Sequence, residues 1–401
     1  MTKWANWVGN QSFQPREVAV VSTEEEVQHR VAAAAATGSR IRGVGTAHSF
    51  TPIVETDVLL DMSAMRGIVD IDADRQLVRV LPKTTIGDFG EPLWEHGLAL
   101  ANQGDIDTQA IAGSVATATH GSGRRFPSFS ATVEGARLVD GNGQLVEVTR
   151  ETKPDHLAAL QTSIGMLGIM TELTIKVVPA YHLHARTDIM TFAEVLETFE
   201  RDIDIYRHYG LFWMPTDDSA RLYNLEGAGA DDCVVKRYLE VDADADIELG
   251  PHERLDRSYR IYPMVYDPNF HEVEYFLPLD RWREILVEMR RLMLRWHPLS
   301  IYPLEIRVVA AEDAWMSPNY HRDNLVVSIS GQPGVDYWPY LRACDSLFAE
   351  FGGRPHWGKL HFMTADRLAR LFPRYEDFLE VRRQFDPNGV FINDHLRPLF
   401  G

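Results

Sequence analysis

The chain reads as an α+β protein in which a second domain is inserted between two parts of a first. Three observations predict this. Residues 1–178 mix capped helical segments, short apolar runs and many glycines. Beyond Pro179 the density of large aromatics rises, as at Phe212, Trp213, Tyr259, Tyr262, Tyr266, Tyr275 and Phe276. From Arg354 onward the mixed pattern returns. The expected parts are therefore 1–178, 179–353 and a closing segment, 354–401.

The elements follow in order. Thr23 with Glu26 predicts a capping box, and the Ala-rich run after it a helix stopped at Gly38. Arg40–Val44, Val58–Asp61, Ile68–Asp72 and Leu77–Leu81 read as strands. Thr85–His96 reads as a helix ending at Gly97, with Gly87, Gly90 and Pro92 working against it. Ala136–Val139 and Leu145–Thr149 flank Asp-Gly-Asn-Gly, a hairpin signal. Leu157–Ser163 is expected as a short helix and Gly168–Val178 as a strand closed by Pro179. Thr191–Arg201, Asp280–Trp296, Val335–Phe351 and Tyr375–Phe385 read as further helices. Gly227–Gly250 is acidic and lacks periodicity, so a mobile loop is expected there.

Composition excludes some classes of partner. With 58 acidic against 40 basic residues the formal charge is −18, which disfavours nucleic acid and anionic membranes. Two cysteines, Cys233 and Cys344, offer neither a disulfide framework nor a Cys-type zinc site. No apolar run reaches the length of a membrane span and the first residues lack a signal-peptide pattern, so a cytoplasmic home is expected.

Several stretches carry possible chemistry. Arg40–Phe50, RIRGVGTAHSF, runs from strand into a Gly-x-Gly turn that lets backbone N–H groups approach a pyrophosphate, with His48 where it could meet a flavin ring. The same residues also suit a plain tight turn with a surface histidine. Ile111–Gly123 is a run of Gly, Ala, Ser and Thr that could lie against an extended ligand or simply pack a turn. Gly43–His48 lacks the third glycine of a dinucleotide fingerprint. Gly353–Lys359 has P-loop spacing, but Leu360 stands where Ser or Thr is required. His356 and His361 have no partner at ligand spacing, so no metal is expected. Glu305 and Arg307 share one face of an apparent strand, as a cleft wall or an ion pair. Ser328 and Ser330 stand in the same relation.

RGVGTAHSF, NQGDIDTQAIAGSVATATHGSG, EYFLP, EIRVVAAEDAWMSP, RPHWGK and NDHLRPLFG occur in one order along the chain. Together they resemble the aldonolactone oxidase and alditol oxidase group of flavoproteins, the gulonolactone and arabinonolactone oxidoreductases, with the vanillyl-alcohol-oxidase-type fold. The resemblance implies an FAD-binding domain built from the N-terminal part and the C-terminal segment, and a cap domain with a large antiparallel sheet. It implies FAD joined covalently to His48. Gly43, Val44, Gly45, Thr46, Ala47 and Ser49 would wrap the pyrophosphate. Gly104, Asp105, Ala110, Gly113, Thr117, Ala118, Thr119, His120 and Ile169 would add cofactor contacts. Lys359, Arg307 and Glu305 would be catalytic, and with Asp105, Glu272, Ser328 and Ser330 would bind substrate.

Gly104-Asp105 replaces the Ala-Ser pair of alditol oxidases, and Glu272 an amide. The small Gly104 would leave oxygen access to the flavin. These departures favour an aldonolactone such as L-gulono-1,4-lactone or D-arabinono-1,4-lactone over xylitol or sorbitol. The implied partners are a small sugar-derived substrate and O2 or another electron acceptor. A monomer is expected. A lactone dehydrogenase using a non-oxygen acceptor is the alternative.

Overall fold

The computed structural model describes residues 3–225, 227–264, 267 and 269–401, so Tyr266 lies outside it. Three larger sheets organise these residues. Glu17–Val20, Val58–Asp61 and Ile41–Val44 form a parallel sheet with Val58–Asp61 in the middle. The helix Glu24–Thr37 makes the crossover that parallel pairing requires. Thr23 caps it by accepting from the Glu26 N–H, and Gly38 ends it in the left-handed region at φ 65°. The capping box closes differently from expectation: the Glu26 carboxylate takes the N–H of Ser22, one residue before the cap.

A five-stranded antiparallel sheet follows, in the order 145–149, 133–139, 169–176, 77–80, 68–72. The Asp-Gly-Asn-Gly turn joins its first two strands as expected. Two helices shift. Thr85–His96 divides into a 3-10 turn, Ile86–Phe89, and a short helix, Gly90–Glu95, as its two internal glycines would suggest. The expected Leu157–Ser163 helix runs instead over Pro154–Leu160, started by the proline.

The third sheet has eight antiparallel strands, in the order 253–257, 182–191, 232–241, 208–213, 304–309, 324–331, 271–278, 354–355. It corrects one expectation. Gly227–Gly250 contains the ten-residue strand Asp232–Val241, paired along its whole length with His182–Thr191. The charges that hid its apolar alternation are neutralised within the fold: Arg237 bonds Asp202 at 2.6 Å and Asp188 at 2.7 Å, and Lys236 bonds Asp105 at 3.1 Å. Phe192–Ile205 and Trp282–Arg295 pack together through the stacked rings of Phe199 and Trp282, 4.4 Å apart. Thr191 and Glu194 complete a reciprocal capping box on the first of these helices. Thr191→Ala should lower stability by about 1 kcal/mol, read from denaturant midpoints. Among the described residues, no helix is long and apolar enough to cross a membrane.

Candidate active site

One cavity lies between the glycine-rich loops and one face of the eight-stranded sheet. Its first wall grows out of the strand Ile41–Val44. There Gly45 passes so close to Ala110 that a Cβ would sit 2.9 Å from the alanine's methyl, and Ala47 takes the left-handed conformation at φ 60°. Neighbours hold this turn. Thr46 Oγ1 accepts the Ala110 N–H at 3.1 Å, Lys83 donates to the Gly45 carbonyl, and Trp7 donates to the carbonyls of Ala47 and His48.

The His48 ring, 5.0 Å from that of Trp7, faces the cavity. Burial first, and then the Lys359 charge, bring its pKa down to about 4, so it is neutral at pH 7. Its Nδ1 is buried without a hydrogen-bond partner, while Nε2 lies 3.3 Å from Thr108 Oγ1. The Ile111–Gly123 run starts as a helix, Ile111–Ala116, and unwinds into a loop through Ala118 at φ 58°.

Of the expected cofactor residues, Gly43–Ser49, Gly104, Asp105, Ala110, Gly113, Thr117, Thr119, His120 and Ile169 line the cavity. Ala118 is fully buried and does not. Close-set glycines, hydroxyls and an unpartnered neutral imidazole nitrogen form a donor set that fits FAD.

The far end of the cavity is ionic. Glu305 and Arg307 project from one face of the strand Leu304–Val309 and bond at 2.8 Å. Arg307 also lies 3.6 Å from Glu274, and burial opposed by the two carboxylates leaves its pKa raised. Glu272 and Glu274 alternate along His271–Pro278, where main-chain bonds from Leu360 and His356 fix the Arg354–Leu360 segment beside them. Lys359 thereby reaches the Glu272 carboxylate, its ammonium 5.0 Å over the Phe50 ring.

The neighbours of Glu274 set the proton arrangement. His120 Nδ1 faces the Gly121 carbonyl at 2.8 Å and Nε2 faces Glu274 Oε1 at 3.1 Å, so an acceptor stands at each ring nitrogen. His356 Nδ1 accepts the Gly358 N–H at 3.0 Å, so its ring proton sits on Nε2, 4.0 Å from Glu274. His120, Glu274 and His356 are close enough to share a metal ion. His356 turns its N–H rather than a lone pair toward this carboxylate and Ser328 donates to it, which makes Glu274 a hydrogen-bond hub.

The two carboxylates differ sharply. Burial alone would raise Glu274, yet His120, Arg307 and His356 hold it well below the usual carboxylate range. Burial pushes Glu272 up; Lys359 opposes this, while Glu274 and Glu305 reinforce it.

Asp105, Glu272, Glu305, Arg307 and Lys359 line the cavity together. Ser328 and Ser330 do not. Ser328 donates to Glu274 at 2.5 Å and Ser330 pairs with the Tyr223 hydroxyl at 2.6 Å, so both hydroxyls serve the wall behind the cavity. Sequence reasoning missed Glu274, although it opens EYFLP and shares a strand face with Glu272. It also missed Lys236, Trp7 and the role of His356.

The family model for D-arabinono-1,4-lactone oxidase matches residues 173–232 and 235–399, and that for the FAD binding domain matches 15–149. L-gulono-1,4-lactone dehydrogenase of Mycobacterium tuberculosis is 32% identical, over 99% of both chains. Alditol oxidase of a Streptomyces species is 28% identical over 99% of both. L-gulonolactone oxidase of Mus musculus is 25% identical over 99% of this chain and 98% of its own. The fold is also that of cholesterol oxidase from Brevibacterium sterolicum, with a TM-score of 0.84 at 15% identity over 100% of this chain and 96% of that one. The helices with one large antiparallel sheet, the cavity and these matches agree: the chain carries an FAD-binding domain and belongs to the D-arabinono-1,4-lactone oxidase family.

Proposed function

We propose that this protein is an FAD-dependent oxidase of sugar-derived alcohols, acting on the CH–OH group of an aldonolactone of the L-gulono- or D-arabinono-1,4-lactone type. The observation that carries this is the ionic end of the cavity: Arg307, Lys359, Glu305, Glu272 and Asp105 converge opposite the glycine cradle. When bound, FAD would supply the hydride acceptor and the reoxidation by O2 that gives H2O2. The protein's own groups do the rest. Arg307 and Lys359 stabilise negative charge developing on the substrate oxygen. Glu305 holds Arg307 and binds a substrate hydroxyl, and Asp105, anchored by Lys236, offers a second acceptor. Residues 1–178 and 354–401 form the FAD-binding part and 179–353 the cap.

His48 tethers the cofactor. A neutral imidazole keeps the lone pair that a covalent bond to the flavin requires; the His48 ring lines the cavity and its Nδ1 has no hydrogen-bond partner. His48→Ala protein should release all its flavin on acid precipitation, whereas the wild-type pellet stays yellow; a yellow His48→Ala pellet would exclude the tether. The activity is tested by bleaching of the bound flavin with L-gulono-1,4-lactone, D-arabinono-1,4-lactone, xylitol and sorbitol. Bleaching by lactones, with H2O2 formed under air, is the expected result. Bleaching by alditols alone would reassign the substrate, and bleaching without H2O2 would make the protein a dehydrogenase.

A further inference from the structure

We propose that Glu272 is the group that takes the proton of the substrate hydroxyl, and that Glu274, two residues along the same strand face, is its permanently ionised counterpart. This rests on the alcohol-oxidising reading above. The two carboxylates are built for different tasks. Glu274 is enclosed by the Ser328 hydroxyl, His120 and Arg307, with His356 at 4.0 Å, and so has little freedom to exchange a proton. Glu272 is also buried and, like Glu274, lines the cavity, but its carboxylate is held by Lys359 and not by a ring of donors.

The groups facing Glu272 come from four elements: Glu274 on its own strand, Glu305 on Leu304–Val309 one strand beyond the adjacent one, Lys359 on the Arg354–Leu360 segment, and Tyr223 after the short helix Ser219–Leu222. Of these, only Lys359 is a cation, and it already bonds Glu272. Two carboxylates close by disfavour a third negative charge, so gaining a proton relieves repulsion at Glu272 as it could not at Glu274.

The step balances. The substrate O–H bond breaks as the C=O bond forms. The C–H hydrogen leaves with its electron pair to the oxidant, FAD, and the hydroxyl proton passes to the Glu272 carboxylate, leaving a neutral acid. Lys359, bonded to the same carboxylate, steadies the oxygen while the proton moves.

Glu272→Gln keeps an acceptor for Lys359 but cannot take a proton. Flavin reduction in the wild-type holoenzyme should rise with pH through one ionisation and level off. In the variant that rise should vanish, and the plateau rate should fall about 10²–10⁴-fold, the usual worth of a general base. Substrate binding, read from the perturbed flavin spectrum, should persist. Glu272→Asp should restore the ionisation and part of the rate. A variant that keeps the wild-type pH rise with a rate within a few-fold of wild type would overturn the assignment.

A second readout needs no turnover. Infrared difference spectra of the substrate-free holoenzyme, taken on acidification, should show a carboxylic-acid carbonyl band appearing above the usual glutamate range. That band should be absent in Glu272→Gln; if it persists there, the assignment fails. Should no alcohol bleach the wild-type flavin, the reading of activity fails, and the infrared band still decides the proton-holding character of Glu272.

Discussion

Lys359→Met should slow reduction of the bound flavin by about 10²–10³-fold, the loss expected when one donor to a developing oxyanion is removed. Stopped-flow bleaching under anaerobic conditions measures it directly. Methionine fills similar space over the Phe50 ring, so packing changes little while the charge disappears. The same change strips Glu272 of its cationic partner, leaving burial and two neighbouring carboxylates to push its proton affinity higher. The rate should therefore fall most near neutral pH and recover in part as pH rises. An unchanged reduction rate would remove Lys359 from the chemistry.

Arg307→Leu should be the most damaging single change, because it acts on stability as well as rate. The guanidinium lies between Glu305 at 2.8 Å and Glu274 at 3.6 Å. Removing it leaves two carboxylates facing each other in a largely dry wall, a loss of about 3 kcal/mol or more. Denaturant midpoints should fall accordingly, and flavin reduction should be lost in the protein that still folds. The sign with pH follows from Glu274. Its folded-state pKa is depressed, so it contributes stability above the ordinary carboxylate pKa, and that contribution is lost as pH falls. Without Arg307 the depression shrinks, and the variant's deficit should narrow under acid. A variant as stable as the wild type at neutral pH would show the ion pairs to be energetically idle.

What the sequence made legible has a physical pattern. The helix after Thr23, the Asp-Gly-Asn-Gly hairpin and the Glu305–Arg307 strand declare themselves locally, through caps, turn residues and alternation. Asp232–Val241 does not, because Lys236 and Arg237 interrupt its apolar rhythm and their partners lie between 35 and 131 positions away. The active site divides the same way. His48, Glu305, Arg307 and Lys359 sit in stretches whose wording is distinctive, and the cavity gathers them. Glu274 and His356 gain their importance only through each other and through His120, which stands 154 positions before Glu274. Ser328 and Ser330 misled for the converse reason: their spacing faced them toward the site, but nearer partners had already claimed their hydroxyls.

The loop that carries His48 is pinned by remote segments. Asn6 donates to the Ser49 carbonyl and Gln11 to that of Phe50, while Asn393 donates to the carbonyls of Pro52 and Glu55. Arg42, just before the loop, donates to the Phe391 carbonyl 349 positions away. The shape of the cradle is thus held in common by residues 6–11 and 391–393, segments that only the folded chain brings to the same loop.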